Sequence, residues 1–124
     1  MKILLVDDDA FLRDMYATKF AEADHEVVSA DSPMDALQQM EQTQDFDVIL
    51  LDMIMPGMTG VELVTAIKEK YPKFSGKCIV LSNQGQVEDI EAAKQAGTDG
   101  YIIKAESIPS DVLKKVEAMV ENKK

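Results

Sequence analysis

Val48-Ile49-Leu50-Leu51-Asp52, continued by Met53-Ile54-Met55-Pro56-Gly57-Met58-Thr59-Gly60, is the stretch on which the fold turns. Its first half is an unbroken apolar run that stops at a carboxylate. Its second half carries Pro and Gly and reads as a loop. A short apolar run without alternation suits a parallel strand covered on both faces, because neither side of the pleat receives polar residues. The closing carboxylate then lies at one edge of the sheet. The same pattern stands near the start of the chain, where Ile3-Leu4-Leu5-Val6 ends in Asp7-Asp8-Asp9. Two such ends side by side gather negative charge, which repels itself and calls for a cation.

Outward from these runs, apolar segments alternate with segments of helical spacing. Strands are expected near 2–6, 26–30, 47–51, 77–82 and 100–103. The first helix, about 10–22, places Leu12, Met15, Tyr16 and Phe20 on one face. The second has Ser32 as N-cap, Pro33 at the first helical position and Asp35 two residues on, with Ala36, Leu37 and Met40 buried. The third opens on a capping-box pattern, Thr59 with Glu62, buries Leu63, Val64 and Ile67, and ends before Pro72. The fourth carries Val87, Ile90 and Ala93 and stops at Gly97. The fifth starts near Pro109 and buries Val112, Leu113, Val116, Met119 and Val120. The tail, Glu121-Asn122-Lys123-Lys124, reads as a frayed, solvated end or as the point where a longer protein was cut.

The chain has 124 residues, enough for a single domain, 1–124, with one core. A formal charge of −10 argues against direct nucleic-acid binding and against docking on anionic lipid. No apolar run approaches the roughly 18 residues that span a bilayer, and the first run is too short for a signal peptide. One cysteine, Cys78, cannot close an internal disulfide, so a cytoplasmic location is expected. Cys78 lies within an apolar run and reads as a small core residue.

Strand–helix alternation repeated five times implies a doubly wound α/β sheet. Its site belongs in the crevice at the carboxyl ends of the strands where the strand order reverses. If the order is 2-1-3-4-5, those are the first and third strands, the two that end in Asp. Asp7, Asp8 and Asp52 would then meet. Hard oxygen ligands of this kind suit Mg²⁺, and a carboxylate can attack phosphorus to give an aspartyl phosphate. Lys104, following the last strand, would supply a cation to the gathering charge. Ser82, ending the fourth strand, would offer a hydroxyl to a phosphoryl oxygen.

Together these residues resemble the receiver domain of bacterial two-component response regulators, over nearly the whole chain. The marks are Val6-Asp7-Asp8, Leu51-Asp52-Met53, Met55-Pro56-Gly57-Met58-Thr59-Gly60, Leu81-Ser82 and Gly100-Tyr101-Ile102-Ile103-Lys104. The strand order 2-1-3-4-5 is partly carried by this resemblance. It also implies that Asp52 accepts a phosphoryl group from a sensor histidine kinase or phosphotransfer protein. Asp7 and Asp8 would hold Mg²⁺ beside Asp52, with the backbone carbonyl of Ile54 as a further ligand. Lys104 would pair with phosphoryl oxygens, Ser82 would swing in to bind one, and Tyr101 would turn inward behind it. The resemblance implies a switch more than an enzyme, with output through the fourth helix, fifth strand and fifth helix. The kinase would dock on the first helix, where Phe11, Leu12 and Met15 are offered. It leaves open a phosphorylation-dependent homodimer.

Departures stand at three places. Ala105 follows Lys104 where the family usually has Pro, and a trans bond is expected there, since cis costs about 2.5–4 kcal/mol without proline. Asn83 would crowd the approach to the phosphoryl group. Ile54, with Gln84, occupies a position that in the family influences phosphoryl loss. Other residues have plainer readings: Asp9 as a cap of the first helix, His25 as a solvated turn residue, and Met53, Met55 and Met58 as loop packing. Two other functions remain open. A haloacid-dehalogenase-like phosphatase would use Asp7 as nucleophile, and an interaction module of the same fold would work without phosphorylation. A flavodoxin-like electron carrier fits poorly, because the loop after the first strand lacks a Ser/Thr/Gly-rich phosphate cradle.

Overall fold

The computed structural model describes residues 1–82, 87–104 and 108–121. Strands and helices alternate as β1 (Lys2–Val6), α1 (Ala10–Glu22), β2 (Glu26–Ala30), α2 (Pro33–Gln42), β3 (Val48–Asp52), α3 (Gly60–Lys70), β4 (Lys77–Ser82), α4 (Val87–Gln95), β5 (Gly100–Ile103) and α5 (Pro109–Glu121). The five strands form one parallel sheet in the order β2-β1-β3-β4-β5, so β1 and β3 flank the reversal, as expected.

The apolar runs work as two-faced strands. Ile3 and Leu5 of β1, Val48 and Leu50 of β3, Ile79 and Leu81 of β4 and Ile102 of β5 pack on Tyr16 and Phe20 of α1 and Val112 and Val116 of α5. The intervening residues Leu4, Val6, Ile49, Leu51 and Cys78 pack on Ala36 and Met40 of α2 and Leu63, Val64 and Ile67 of α3. The period-2 alternation of a strand thus divides each run between two helical layers. Cys78 is fully buried, and desolvation pushes its thiol up to about 11.

Helix ends follow the local chemistry. Asp9 Oδ1 accepts from Leu12 N, and Ser32 Oγ accepts from Asp35 N. Thr59 and Glu62 exchange both bonds of a capping box. Gly97, at φ +87°, closes α4: Thr98 N donates to Ala93 O and Gly97 N to Lys94 O, the Schellman pattern that spares the last carbonyls.

Two expectations need correction. The third strand runs over Val48–Asp52 rather than 47–51, because Asp52 pairs with Leu81 and Met53 N donates to Leu81 O at 3.1 Å. Val87, carried by α4, is 70% exposed. Steps of three drift by about 60° on a 3.6-residue helix, which swings Val87 off the face fixed by the buried Ala93. His25 is not a solvated turn residue. Its side chain is 12% exposed, with Nε2 at 2.8 Å from Glu117 Oε2 of α5. Its Nδ1 lies 3.0 Å from the N-terminal amine. Ala105, Asn83, Gln84 and the tail residues 122–124 lie outside the described residues.

Candidate phosphoacceptor site

Strand register builds the site. Val6 pairs with Leu51, so Asp7 and Asp52 come next on adjacent strands, and Asp52 in turn pairs with Leu81 and Leu81 with Ile102. Asp7, Asp52 and Lys104 continue the alternation of Leu5, Leu50 and Ile102, which face α1 and α5. All three therefore emerge on the same side of the sheet at its carboxyl edge. Lys104 reaches across the end of β4 and places Nζ 3.3 Å from Asp7 Oδ2 and 3.3 Å from Asp52 Oδ1. Asp7 is 1% exposed and Lys104 8%, so this is a buried charge cluster rather than a surface ion pair. Asp8 is exposed, and one carboxylate oxygen from each of Asp7, Asp8 and Asp52 lies within 4.8 Å of the others.

The backbone around the site is tightly built. Asp9 N donates to Asp7 Oδ1 at 2.9 Å, and Arg13 Nη1 donates to the Asp7 carbonyl at 2.8 Å. Behind Asp52, Gly60 N donates to Met53 O at 2.8 Å. A Cβ at Gly60 would stand 2.5 Å from the carbonyl oxygen of Asp52. Only glycine lets α3 begin this close to the strand that carries Asp52.

Electrostatics match the geometry. Burial raises the pKa of Asp52; attraction to Lys104 opposes this, while Asp7 and Asp8 push it further up. Burial alone would lower the Lys104 ammonium, but Asp52 and Asp7 outweigh it and hold the pKa above the usual lysine range. Tyr16 on α1 lies within the same field: its phenol is raised by burial, with Lys104 opposing and Asp7 and Asp52 adding. Ionised carboxylates so placed fit a hard divalent cation such as Mg²⁺, which favours oxygen donors and neutralises more charge than one lysine can.

A cavity of about 320 Å³ opens over these groups, lined by Asp8, Asp52, Ile54, Ser82, Asp89 and Lys104 among others. Ser82 is buried at the end of β4. Ile54 is 74% exposed at the rim. Tyr101 is half-buried and packs with Met53, Val80 and Ala93 rather than lining the cavity. Met53 and Met55 are buried in the apolar clusters, in keeping with loop packing. Sequence reasoning missed Asp89 and Arg13 at the site, and it placed Tyr16 on the packed face of the first helix without linking it to the carboxylates. Asp89 could have been suspected, because it lies in the first turn of the helix that follows Ser82 at the sheet's carboxyl edge.

Residues 3–117 match the family described as the response regulator receiver domain. The chain belongs to this family. It is 37% identical over 113 residues to the nitrate/nitrite response regulator protein NarL of Escherichia coli K12, covering 90% of this chain and 51% of that protein. It is 33% identical over 105 residues to the chemotaxis protein CheY of Listeria monocytogenes, covering 84% of this chain and 86% of that one. The solved structure of chemotaxis protein CheY4 of Vibrio cholerae superposes with a TM-score of 0.87 at 30% identity, covering 95% of this chain and 97% of that one. The chain thus spans about half the length of NarL. Asp7 is 1% exposed and accepts from Asp9 N, whereas Asp52 keeps 13% side-chain exposure and lines the cavity, so Asp52 is the more accessible of the two carboxylates. Among the described residues no helix is long and apolar enough to cross a membrane.

Proposed function

We propose that the chain, residues 1–124 acting as one receiver unit, takes a phosphoryl group on Asp52 and passes the signal on by changing its partner surface. The observation that carries this reading is the single amine of Lys104 at 3.3 Å from both Asp7 and Asp52, beneath a cavity that Ser82 also lines. Asp7, Asp8, Asp52 and the Ile54 carbonyl would hold Mg²⁺, which would supply positive charge to the phosphoryl oxygens. Asp52 Oδ attacks phosphorus and the donor's leaving group departs. Lys104 then exchanges part of its contact with Asp52 for a phosphoryl oxygen, and Ser82 donates its hydroxyl to another. Tyr101 moves into the space behind Ser82. Two arrangements of these side chains, biased by the phosphoryl group, make a two-state switch.

The chain's own groups promote phosphorylation and its reversal, and no other substrate is assigned. Its donor is a sensor histidine kinase or phosphotransfer protein in the cytoplasm, docking on α1. There Phe11 is exposed and borders an open groove of about 470 Å³ with Met15, Thr18 and Pro109. Output runs through α4, β5 and α5 to a downstream protein, with homodimerisation on phosphorylation as one form of response. Family membership and the net charge of −10 support a protein partner over nucleic acid. The test is incubation with Mg²⁺ and acetyl phosphate, followed by mass spectrometry. The intact protein should gain one phosphoryl group and Asp52→Asn should gain none. A gain that persists in Asp52→Asn would overturn the assignment. No gain in either protein would favour an interaction module that works without phosphorylation.

A further inference from the structure

Asp89 is an acidic residue of the crevice that the proposed phosphoacceptor chemistry leaves unused. It lies in the first turn of α4, is half-buried, and lines the same cavity as Asp52, Ser82 and Lys104. Its neighbour Glu88 is exposed and is not part of that wall. Asp9, the other additional acid along the cavity, already spends a carboxylate oxygen as the cap of α1.

Charge at the site explains why one more carboxylate matters. Asp7, Asp8 and Asp52 together carry three negative charges, which Lys104 and a divalent cation would balance. Asp89 and the cap residue Asp9 stand outside that balance and leave the mouth of the crevice negative, and of the two only Asp89 has no bond that fixes a helix end to its carboxylate among the described residues. Clefts lined by one sign of charge focus their field on whatever enters. A free phosphodonor must enter as an anion and must leave a dianionic phosphoryl group beside that wall.

Resting on the phosphoacceptor reading, we propose that Asp89 is a specificity-determining residue that selects against highly charged small phosphodonors. With acetyl phosphate, Asp52 Oδ forms a bond to phosphorus, the bond from phosphorus to the acetyl oxygen breaks, and acetate leaves with the electron pair. The reactants carry charges of −2 and −1 and so do the products, so no proton is needed. With phosphoramidate, whose ammonium offsets one charge, ammonia leaves and the approaching donor carries only −1. Asp89 disfavours the first donor more than the second. A donor carried on a protein partner, with its charge screened by the interface, escapes the discrimination.

A purely structural role is the competing explanation, because a carboxylate in the first turn of a helix also favours the helix dipole. The experiment separates the two. Rates of phosphorylation by acetyl phosphate and by phosphoramidate are measured at low and high salt for the wild type and for Asp89→Asn, Asp89→Ser and Asp89→Glu. Melting temperature and Mg²⁺ affinity are recorded alongside. Asp89→Asn and Asp89→Ser should raise the acetyl phosphate rate by roughly threefold or more at low salt and shift the donor ratio, with the gain shrinking as salt screens the field. Asp89→Glu should keep the wild-type ratio, and Mg²⁺ affinity should change far less than in Asp8→Asn. An unchanged donor ratio in both neutral variants, or equal changes for both donors at every salt concentration, overturns the proposal. If the wild type takes no phosphoryl group from either donor, it is the phosphoacceptor reading itself that fails.

Discussion

Replacing Lys104 by Met removes one charge from the centre of the site and leaves the shape nearly intact. What remains is Asp7 and Asp52 on adjacent strands, the first almost wholly enclosed. At 3.3 Å, each lysine–carboxylate pair is worth about 5 kcal/mol at an effective dielectric constant of ~20. Much of that is spent on desolvating the ammonium and on the mutual repulsion of the carboxylates. Breaking a buried pair by removing one partner costs about 3–5 kcal/mol, because a charge is left uncompensated. We take the lower end, since the Asp52 side chain keeps 13% exposure and Asp8 is open to solvent. In a chain of 124 residues, about 3 kcal/mol lowers the melting temperature by roughly 10 °C. The assay is thermal and urea unfolding in chelator. Adding Mg²⁺ should narrow the gap between Lys104→Met and wild type, because a divalent ion supplies the missing charge. Adding Asp52→Asn to Lys104→Met should return part of the loss, with a coupling of about 1 kcal/mol or more. A loss below about 1 kcal/mol in chelator, or strictly additive effects in the double variant, would refute the reasoning.

Gly60→Ala should destabilise by about 1–3 kcal/mol despite alanine's better helix propensity, because its Cβ meets the Asp52 carbonyl at 2.5 Å; urea unfolding measures it, and phosphorylation of Asp52 should slow as the strand end shifts. Asp52→Asn should make the metal-free protein more stable above the ordinary carboxylate pKa. Burial raises the folded pKa of Asp52, so the native state holds the proton longer than the unfolded chain does. Wild-type stability from this group therefore falls as pH rises from the ordinary value through the raised one, and that component of the slope should vanish in Asp52→Asn. Cys78 should resist iodoacetamide at pH 8 in the folded protein and react on unfolding, since its thiol is buried and its pKa stands near 11. His25→Ala should cost about 1–2 kcal/mol by denaturant unfolding, because it leaves Glu117 and the N-terminal amine without their shared imidazole.

What the sequence disclosed, and what it hid, divides along the range of the interactions. Asp52 and Asp7 were legible because each closes an unbroken apolar run, a pattern that suits a doubly covered strand. The caps at Asp9, Ser32 and Thr59 were legible because their partners lie three residues away. Lys104 was found because it follows the last strand, at the sheet edge where the carboxylates gather; a lysine after a strand is otherwise unremarked. His25 was misread because its partner Glu117 lies 92 residues further along the chain, and no local pattern announces that pairing. The exposure of Val87 could not be read from its spacing, because a step of three falls about 60° short of a full helical turn. Asp89 was passed over because an acid in a first helical turn already has a sufficient local explanation. Only the cavity that it shares with Asp52 and Ser82 shows that it also lines the crevice.

The central claim is that carboxylates from the ends of β1 and β3 share one divalent ion, with Asp52 carrying the phosphoryl group beside Lys104 and Ser82. A crystal structure grown with Mg²⁺ and beryllofluoride, a stable mimic of the phosphoryl group, addresses it most directly. The account predicts beryllium bonded to an Asp52 oxygen, Mg²⁺ between Asp7, Asp8 and Asp52, Lys104 Nζ and Ser82 Oγ on the fluorines, and Tyr101 moved behind Ser82. Beryllofluoride on any other side chain, or a metal ion that leaves Asp52 uncoordinated, would contradict it.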